Sequence, residues 1–137
     1  MEHVPVFLEE VKAMLPIKAT GTYADLTMGR GGHAAALLPS LTFGQFIGFD
    51  QDKAAIDALK PLQQQFPCLQ LVHDNFVHVG DRFAALGVKY VNGVLMDLGV
   101  SSPQFDTPER GFSYRFDGPL DMRMDQRQTL TAASILA

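Results

Sequence analysis

The sequence predicts a doubly wound α/β fold, in which parallel strands are joined by helices that cover both faces of one sheet. Three observations predict it. Short apolar runs at Tyr23 to Thr27, Gln45 to Phe49, Leu69 to His73 and Val91 to Met96 alternate with stretches of helical spacing. Such alternation implies parallel pairing through right-handed crossovers. The first run passes directly into a glycine-rich turn, and all four runs end in polar or glycine residues, where ligands sit in this architecture.

Taken in order, Val6 to Leu15 has helical apolar spacing at Phe7, Val11 and Leu15, with Glu9 and Glu10 outward and Pro16 closing it. After Gly21 comes the first strand, then the turn and a helix from His33 to Leu38. The second strand is followed by Asp52, an N-cap for a helix to Phe66 with apolar positions at Ala55, Ile56, Leu59 and Leu62, its last turn disturbed by Pro61. The third strand precedes a helix over Phe76 to Leu86. The fourth, Val91 to Met96, is a mostly apolar run read as a strand buried on both faces. From Gly99 the pattern turns to Gly, Pro, Ser, Asp and Arg without a clear period, a loop-rich segment until helical spacing resumes at Thr129 to Leu136.

With 137 residues and 47% hydrophobic content, one domain spanning 1–137 is expected. The single cysteine, Cys68, excludes a disulfide framework and a cysteine-based metal site, and no metal is expected; a reducing, cytoplasmic setting fits. No run approaches the roughly 20 apolar residues of a membrane span, and Met1 to Pro5 lacks the features of a secretory signal. A net charge of -4 argues against generic nucleic-acid coating, which depends on Lys and Arg neutralising phosphates. Arg110, Arg115, Arg123 and Arg127 cluster late in the chain, but Glu109, Asp117, Asp121 and Asp125 are interleaved with them.

Gly29-Arg30-Gly31-Gly32-His33-Ala34 satisfies G-x-G-x-x-G/A between a predicted strand and a helix, where glycines allow close ligand approach and the helix offers free N–H groups. Asp50 follows Gly29 by 21 residues, placed to accept hydrogen bonds from two ribose hydroxyls. Together they indicate an adenosine-containing cofactor. The bland alternative is a glycine-rich βα turn with Asp50 as a cap. Asp74-Asn75-Phe76 can give an adenine polar contacts and an aromatic wall, though Phe76 could equally be a core aromatic. Asp97 can face a cationic methionine group, whereas it would repel a pyrophosphate. That favours S-adenosylmethionine over a nicotinamide dinucleotide.

Ser102-Pro103-Gln104-Phe105 is similar to the amino-methyltransferase signature of a small polar residue, prolines and an aromatic, with Gln104 in place of the second proline. Holding an exocyclic amine needs acceptors, such as Ser102, and an aromatic face, such as Phe105; the chemistry asks for positioning and a dry approach line more than a strong base. No catalytic side chain is singled out.

The segments His3-x-Pro5-Val6, Asp25-x-Thr27-x-Gly29-Arg30-Gly31-Gly32-His33, Asp97 to Gln104, Glu109-Arg110-Gly111-Phe112-Ser113 and Gly118 to Asp125 resemble the bacterial small-subunit ribosomal RNA cytosine-N4 methyltransferases. The resemblance implies S-adenosylmethionine contacts at Gly31, Gly32, His33, Asp50, Phe76, Asp97 and Gln104. It implies a cytosine of small-subunit ribosomal RNA as substrate and partner. Members of that family continue past the position of Ala137 with a helical substrate domain and further strands, so a truncated sheet is expected. Its uncovered edge predicts a homodimer or aggregation. Asp121 and Asp125 are placed to pair with Arg123 and Arg127, which favours an internally paired lid over an RNA surface. Met122 and Met124 read as packing, His73 and His78 as structural or surface residues. Two further possibilities stay open: a fragment that only binds cofactor or a partner chain, and a nicotinamide-dependent oxidoreductase, for which no His or Lys is placed as acid or base.

Overall fold

The structure is a computed structural model that describes residues 4–137. His3, the first residue of the His-x-Pro-Val match, lies outside the described residues. The chain divides into two compact units, Met1–Asp97 and Leu98–Ala137.

The first unit is built on four parallel strands, β1 (Thr22–Asp25), β2 (Gln45–Asp50), β3 (Leu69–His73) and β4 (Gly93–Leu95), in the order β3-β2-β1-β4. Thr22 pairs with Gln45, Phe46 with Leu69 and Tyr23 with Gly93. Successive side chains point to opposite faces, so β1, β2 and β3 each serve two cores. Tyr23 and Phe46 join Met28, Leu37, Leu38, Leu59 and Leu69 in one cluster. Their neighbours Ala24 and Ile47 join Leu26, Phe49 and Val72 in the other. The first face is covered by α2 (Gly32–Leu37) and by the α3 (Lys53–Ala58) and α4 (Lys60–Gln65) pair. The second is covered by the segment from Phe76 through α5 (Val79–Ala85), where Phe83 meets Phe49 edge to face, centroids 6.0 Å apart. Gly48 lies on the first face, where Met28 Cγ comes within 2.5 Å of the position a Cβ would take.

Three expectations are corrected. The helix expected from Asp52 to Phe66 breaks at Leu59, because Pro61 in the first turn of α4 has no N–H to donate back into α3. Asp52 does cap α3, accepting the Ala54 N–H at 3.0 Å. Phe7 is not on a buried helical face: it caps α1 (Leu8–Met14) in a left-handed conformation and is 70% exposed. Leu15 and Ile17, beyond the helix, are what pack on the core. The Val91 to Met96 run is not buried on both faces either. Only Gly93–Leu95 pairs, at the sheet edge, and Val94 and Met96 are each 45% exposed because β4 is flanked on one side only among the described residues.

In the second unit α6 (Ser102–Asp106) and α7 (Ala132–Leu136) are both opened by capping boxes, Ser101 with Gln104 and Thr131 with Ser134. Between them the chain folds back on itself. Met122 N–H donates to the Arg110 carbonyl at 2.9 Å, and the Ala132 and Ala133 amides donate to Asp121 and Leu120. Gly111 has φ +73, and the Pro119 carbonyl occupies the place of a Cβ there, so no other residue fits. No helix among the described residues is long and apolar enough to cross a membrane.

Candidate cofactor site

The strand order places a reversal of winding between β1 and β4, and ligands of such sheets bind beyond the strand ends at that reversal. A short polar chain joins the two strand ends there. Thr27 Oγ1 accepts the Asp97 N–H at 2.6 Å and donates to Asp25 Oδ1 at 3.3 Å, while the Thr27 N–H donates to the same oxygen at 2.9 Å. Asp25 is 1% exposed, and burial pushes its carboxyl up to about 6 against the opposing Thr27 amide and His33. Asp97 is exposed, and its carboxylate has no hydrogen-bond partner among the described residues.

The glycines of the turn have different reasons to be glycine. Gly29 has φ +53 with nothing within 4 Å of its Cβ position, so the space beside it is open. Gly31, at φ +76, would put a Cβ 2.5 Å from Leu59 Cδ2, and a Cβ on Gly32 would run into Pro5. Those two permit close packing of α2 against α3 and the amino-terminal segment. The Gly32 and His33 amides, first in α2, have no intrahelical acceptor. His33 is buried, and its Nε2–H donates to the Val6 carbonyl at 2.7 Å, fixing the segment before α1 to the turn.

Asp50, at the end of β2, accepts the Gly29 N–H on Oδ2 and the Asp52 N–H on Oδ1, each at 2.8 Å. Each oxygen keeps a second lone pair for a hydroxyl donor. Burial raises its pKa, partly offset by these two amides. After β3, Asn75 Oδ1 accepts the Val77 N–H at 3.0 Å, and Phe76 packs partly buried on the second core cluster beside Val79 and Phe83. Asp74 is engaged by Arg82 at 2.8 Å and His78 at 2.9 Å. Burial raises its pKa, but these bonds outweigh it and bring the carboxyl down to about 2. His73 Nε2 lies 3.0 Å from the Gln51 carbonyl and so donates to it.

The structure thus brings Gly31, Gly32, His33, Asp50, Phe76 and Asp97 to the carboxyl ends of the strands within the first unit. Gln104 belongs to the second unit, buried, with Oε1 accepting the Ser101 N–H at 3.1 Å. Ser102 is exposed, and Phe105 lies 6.0 Å from the Arg115 guanidinium. Asp25 and Thr27 lay inside the quoted turn motif but had no assigned role. Their signal was the alternation that puts Asp25 on an inward-facing strand position, where a carboxylate needs a partner. Among the described residues no three His, Cys, Asp or Glu side chains are grouped to hold a metal.

An all-parallel sheet with its reversal at β1 and β4 and a glycine turn after β1 defines a Rossmann-like α/β domain. Sequence comparison narrows the class. The chain belongs to the MraW methylase family, which it matches over residues 1–137. It is 48% identical over 137 residues to ribosomal RNA small subunit methyltransferase H of Halothermothrix orenii, covering 99% of this chain and 44% of the relative. The enzyme of the same name from Methylobacillus flagellatus is 48% identical over 99% of this chain and 42% of its own length. That from Lactobacillus gasseri is 51% identical over 98% of this chain and 45% of its own length. The chain therefore spans less than half the length of the relatives it matches.

Proposed function

We propose that the chain binds S-adenosylmethionine at the β1–β4 reversal and forms the cofactor-holding part of a small-subunit ribosomal RNA (cytosine-N4) methyltransferase of the cytoplasm. The observation that carries this is the exposed Asp97 carboxylate, on a backbone fixed by the Asp97 N–H bond to Thr27, beside a glycine turn that is open at Gly29. An exposed carboxylate there attracts a cationic amino-acid group and repels a pyrophosphate, which disfavours a dinucleotide. The names of the relatives support the RNA substrate.

The donor set fits the cofactor. Asp97 would take the cationic methionine end, the Gly32 and His33 amides its carboxylate, Asp50 the ribose hydroxyls, and Phe76 the adenine; Gly31 allows the close approach. When bound, the cofactor supplies an electrophilic methyl group on sulfur. The chain's own contribution is to orient and to exclude water, since the cytosine N4 lone pair is delocalised into the ring and gains most from a fixed approach.

Calorimetry of this chain with S-adenosylhomocysteine tests the cofactor half: binding is expected, and it should weaken in Asp97→Ala and Asp50→Ala. No measurable binding to the unaltered chain would overturn it. Methyl incorporation into undermethylated small subunits, measured for this chain and for a full-length family member, tests the substrate half. Cofactor binding without incorporation by this chain, alongside an active longer protein, would select the cofactor-binding fragment instead.

A further inference from the structure

We infer that the loop from Phe112 to Gly118 carries a stacking site for unpaired bases of single-stranded RNA, formed by Tyr114, Arg115 and Phe116. Sequence alone could not separate the four arginines of the second unit, but their contacts do. Arg123 is bound bidentate to Asp121, with bonds of 2.8 and 2.9 Å, and also donates to the Gln126 and Gln128 carbonyls. Arg127 is bound in the same way to Asp125. Arg110 donates to the Arg123 and Met124 carbonyls. All three hold the unit together. Arg115 is different: its side chain is 61% exposed, and its ion pair with Asp106 is a loose 3.9 Å. Its guanidinium lies 5.9 Å from the Phe116 ring and 6.0 Å from the Phe105 ring, so it is aligned by aromatic faces rather than by a carboxylate.

The neighbouring rings are presented to solvent. Tyr114 is 96% exposed and Phe116 44%. Single exposed aromatics need no explanation, but here two flank, in sequence, a guanidinium that no close carboxylate holds. The loop is closed at its base by backbone contacts of Gly111 with Pro119 and Gly118 with Pro108 and by the Met122 to Arg110 hydrogen bond. The patch therefore sits on a fixed support. Asp106 and Asp117 lie beside it, which denies it the field needed to gather phosphates. A nucleic acid held here must be held by its base faces, and those are accessible in single strands and hidden in a duplex.

The choice of RNA as the partner rests on the function proposed above; the stacking chemistry does not. The test is fluorescence anisotropy of a labelled 12-nucleotide oligocytidine RNA, and of a duplex of the same length, titrated with this chain. The single strand should bind and the duplex should bind at least tenfold more weakly. Tyr114→Ala should lose about 5- to 150-fold in affinity for the single strand, and Tyr114→Phe should retain it. With one arginine engaged, log K should fall against log salt with a slope of about -0.7, vanishing in Arg115→Ala. Calorimetry with S-adenosylhomocysteine should be unchanged in all three variants, and their far-ultraviolet circular dichroism should match that of the unaltered chain. Equal affinity of Tyr114→Ala, a slope of several phosphates, or no binding by the unaltered chain at millimolar concentration would overturn the inference. So would a loss of self-association, rather than of RNA affinity, in Tyr114→Ala. If RNA behaves as expected but the cofactor does not bind, the function proposed above fails and the stacking site stands.

Discussion

Replacing Asp25 with asparagine should flatten a pH dependence of stability that this one carboxyl imposes. Asp25 sits at the end of β1, 1% exposed, with both Thr27 donors on Oδ1. Removal from water is the largest influence on it and raises its pKa from 3.8 to about 6, against the Thr27 amide and the charge of His33. Because the folded value exceeds the unfolded one, the native state holds a proton that the unfolded chain has released between those two pH values. The stability contribution is thus fully present below about pH 4 and is lost as pH rises through about 6. A gap of that size is worth about 3 kcal/mol. Asparagine accepts from Thr27 in the same geometry and does not titrate. Urea unfolding of both proteins from pH 4 to pH 8 should show asparagine gaining about 3 kcal/mol relative to aspartate across the range, whatever fixed offset the amide carries. Comparing the two proteins removes the effects of Asp74 and Asp121, whose carboxyls are brought down to about 2 and which lose their stabilisation only in stronger acid. Parallel pH profiles would refute the assignment of a buried, proton-retaining carboxyl at the strand end.

Thr27→Val keeps the side-chain shape but removes the link between Asp25 and Asp97, and should weaken S-adenosylhomocysteine binding by about tenfold, the worth of one hydrogen bond. Thr27→Ser should restore it, with the Asp97 amide protected from hydrogen exchange in the threonine and serine forms alone; equal protection in valine would discount the link. Gly31→Ala forces a Cβ against Leu59 at positive φ and should cost about 2 to 3 kcal/mol in thermal unfolding, whereas Gly29→Ala, with open space around it, should cost about 1 kcal/mol. Equal losses at the two positions would show that packing does not distinguish them. The exposed edge at β4, with Val94 and Met96 each 45% exposed, should give a dimer in light scattering that Val94→Lys dissociates. A monodisperse monomer before mutation would remove that expectation.

Strand positions were legible because the short apolar runs around Tyr23-Ala24 and Phe46-Ile47, set between stretches of helical spacing, suit strands covered on both faces. The positions of Asp50 and Asp97 followed from strand ends and needed no tertiary information. What was not legible depended on partners. Val91 to Met96 has the composition of a central strand, and only the pairing reveals that it lies at an edge. Phe7 has the spacing of a core residue, but the left-handed backbone at its own position turns it outward. The Arg-Asp pairing in Leu120 to Arg127 could be anticipated from spacing two apart, as the bidentate bonds of Arg123 and Arg127 bear out. The distinct status of Arg115 could not, because it arises from a fold-back set by Gly111 and Pro119. The α6 helix was readable in principle: Ser101-x-x-Gln104 is a capping box, obscured by the proline and glycine around it.

The order β3-β2-β1-β4 also sets a sequence of events in time. The β1–β2 and β2–β3 pairings join residues 23 apart, whereas the hydrogen bond from Asp97 to Thr27 closes a span of 70. Closing the longer loop costs about 1 kcal/mol more in chain entropy, so the three-stranded part can assemble first and β4 docks onto it afterwards. The crevice between β1 and β4 is then among the last features to form and the first to open. A ligand seated there acts after the folding transition state, leaving the refolding rate unchanged and slowing unfolding in proportion to its binding. Protection by a ligand seated there is then expected as a longer lifetime in the folded state rather than as greater speed in reaching it.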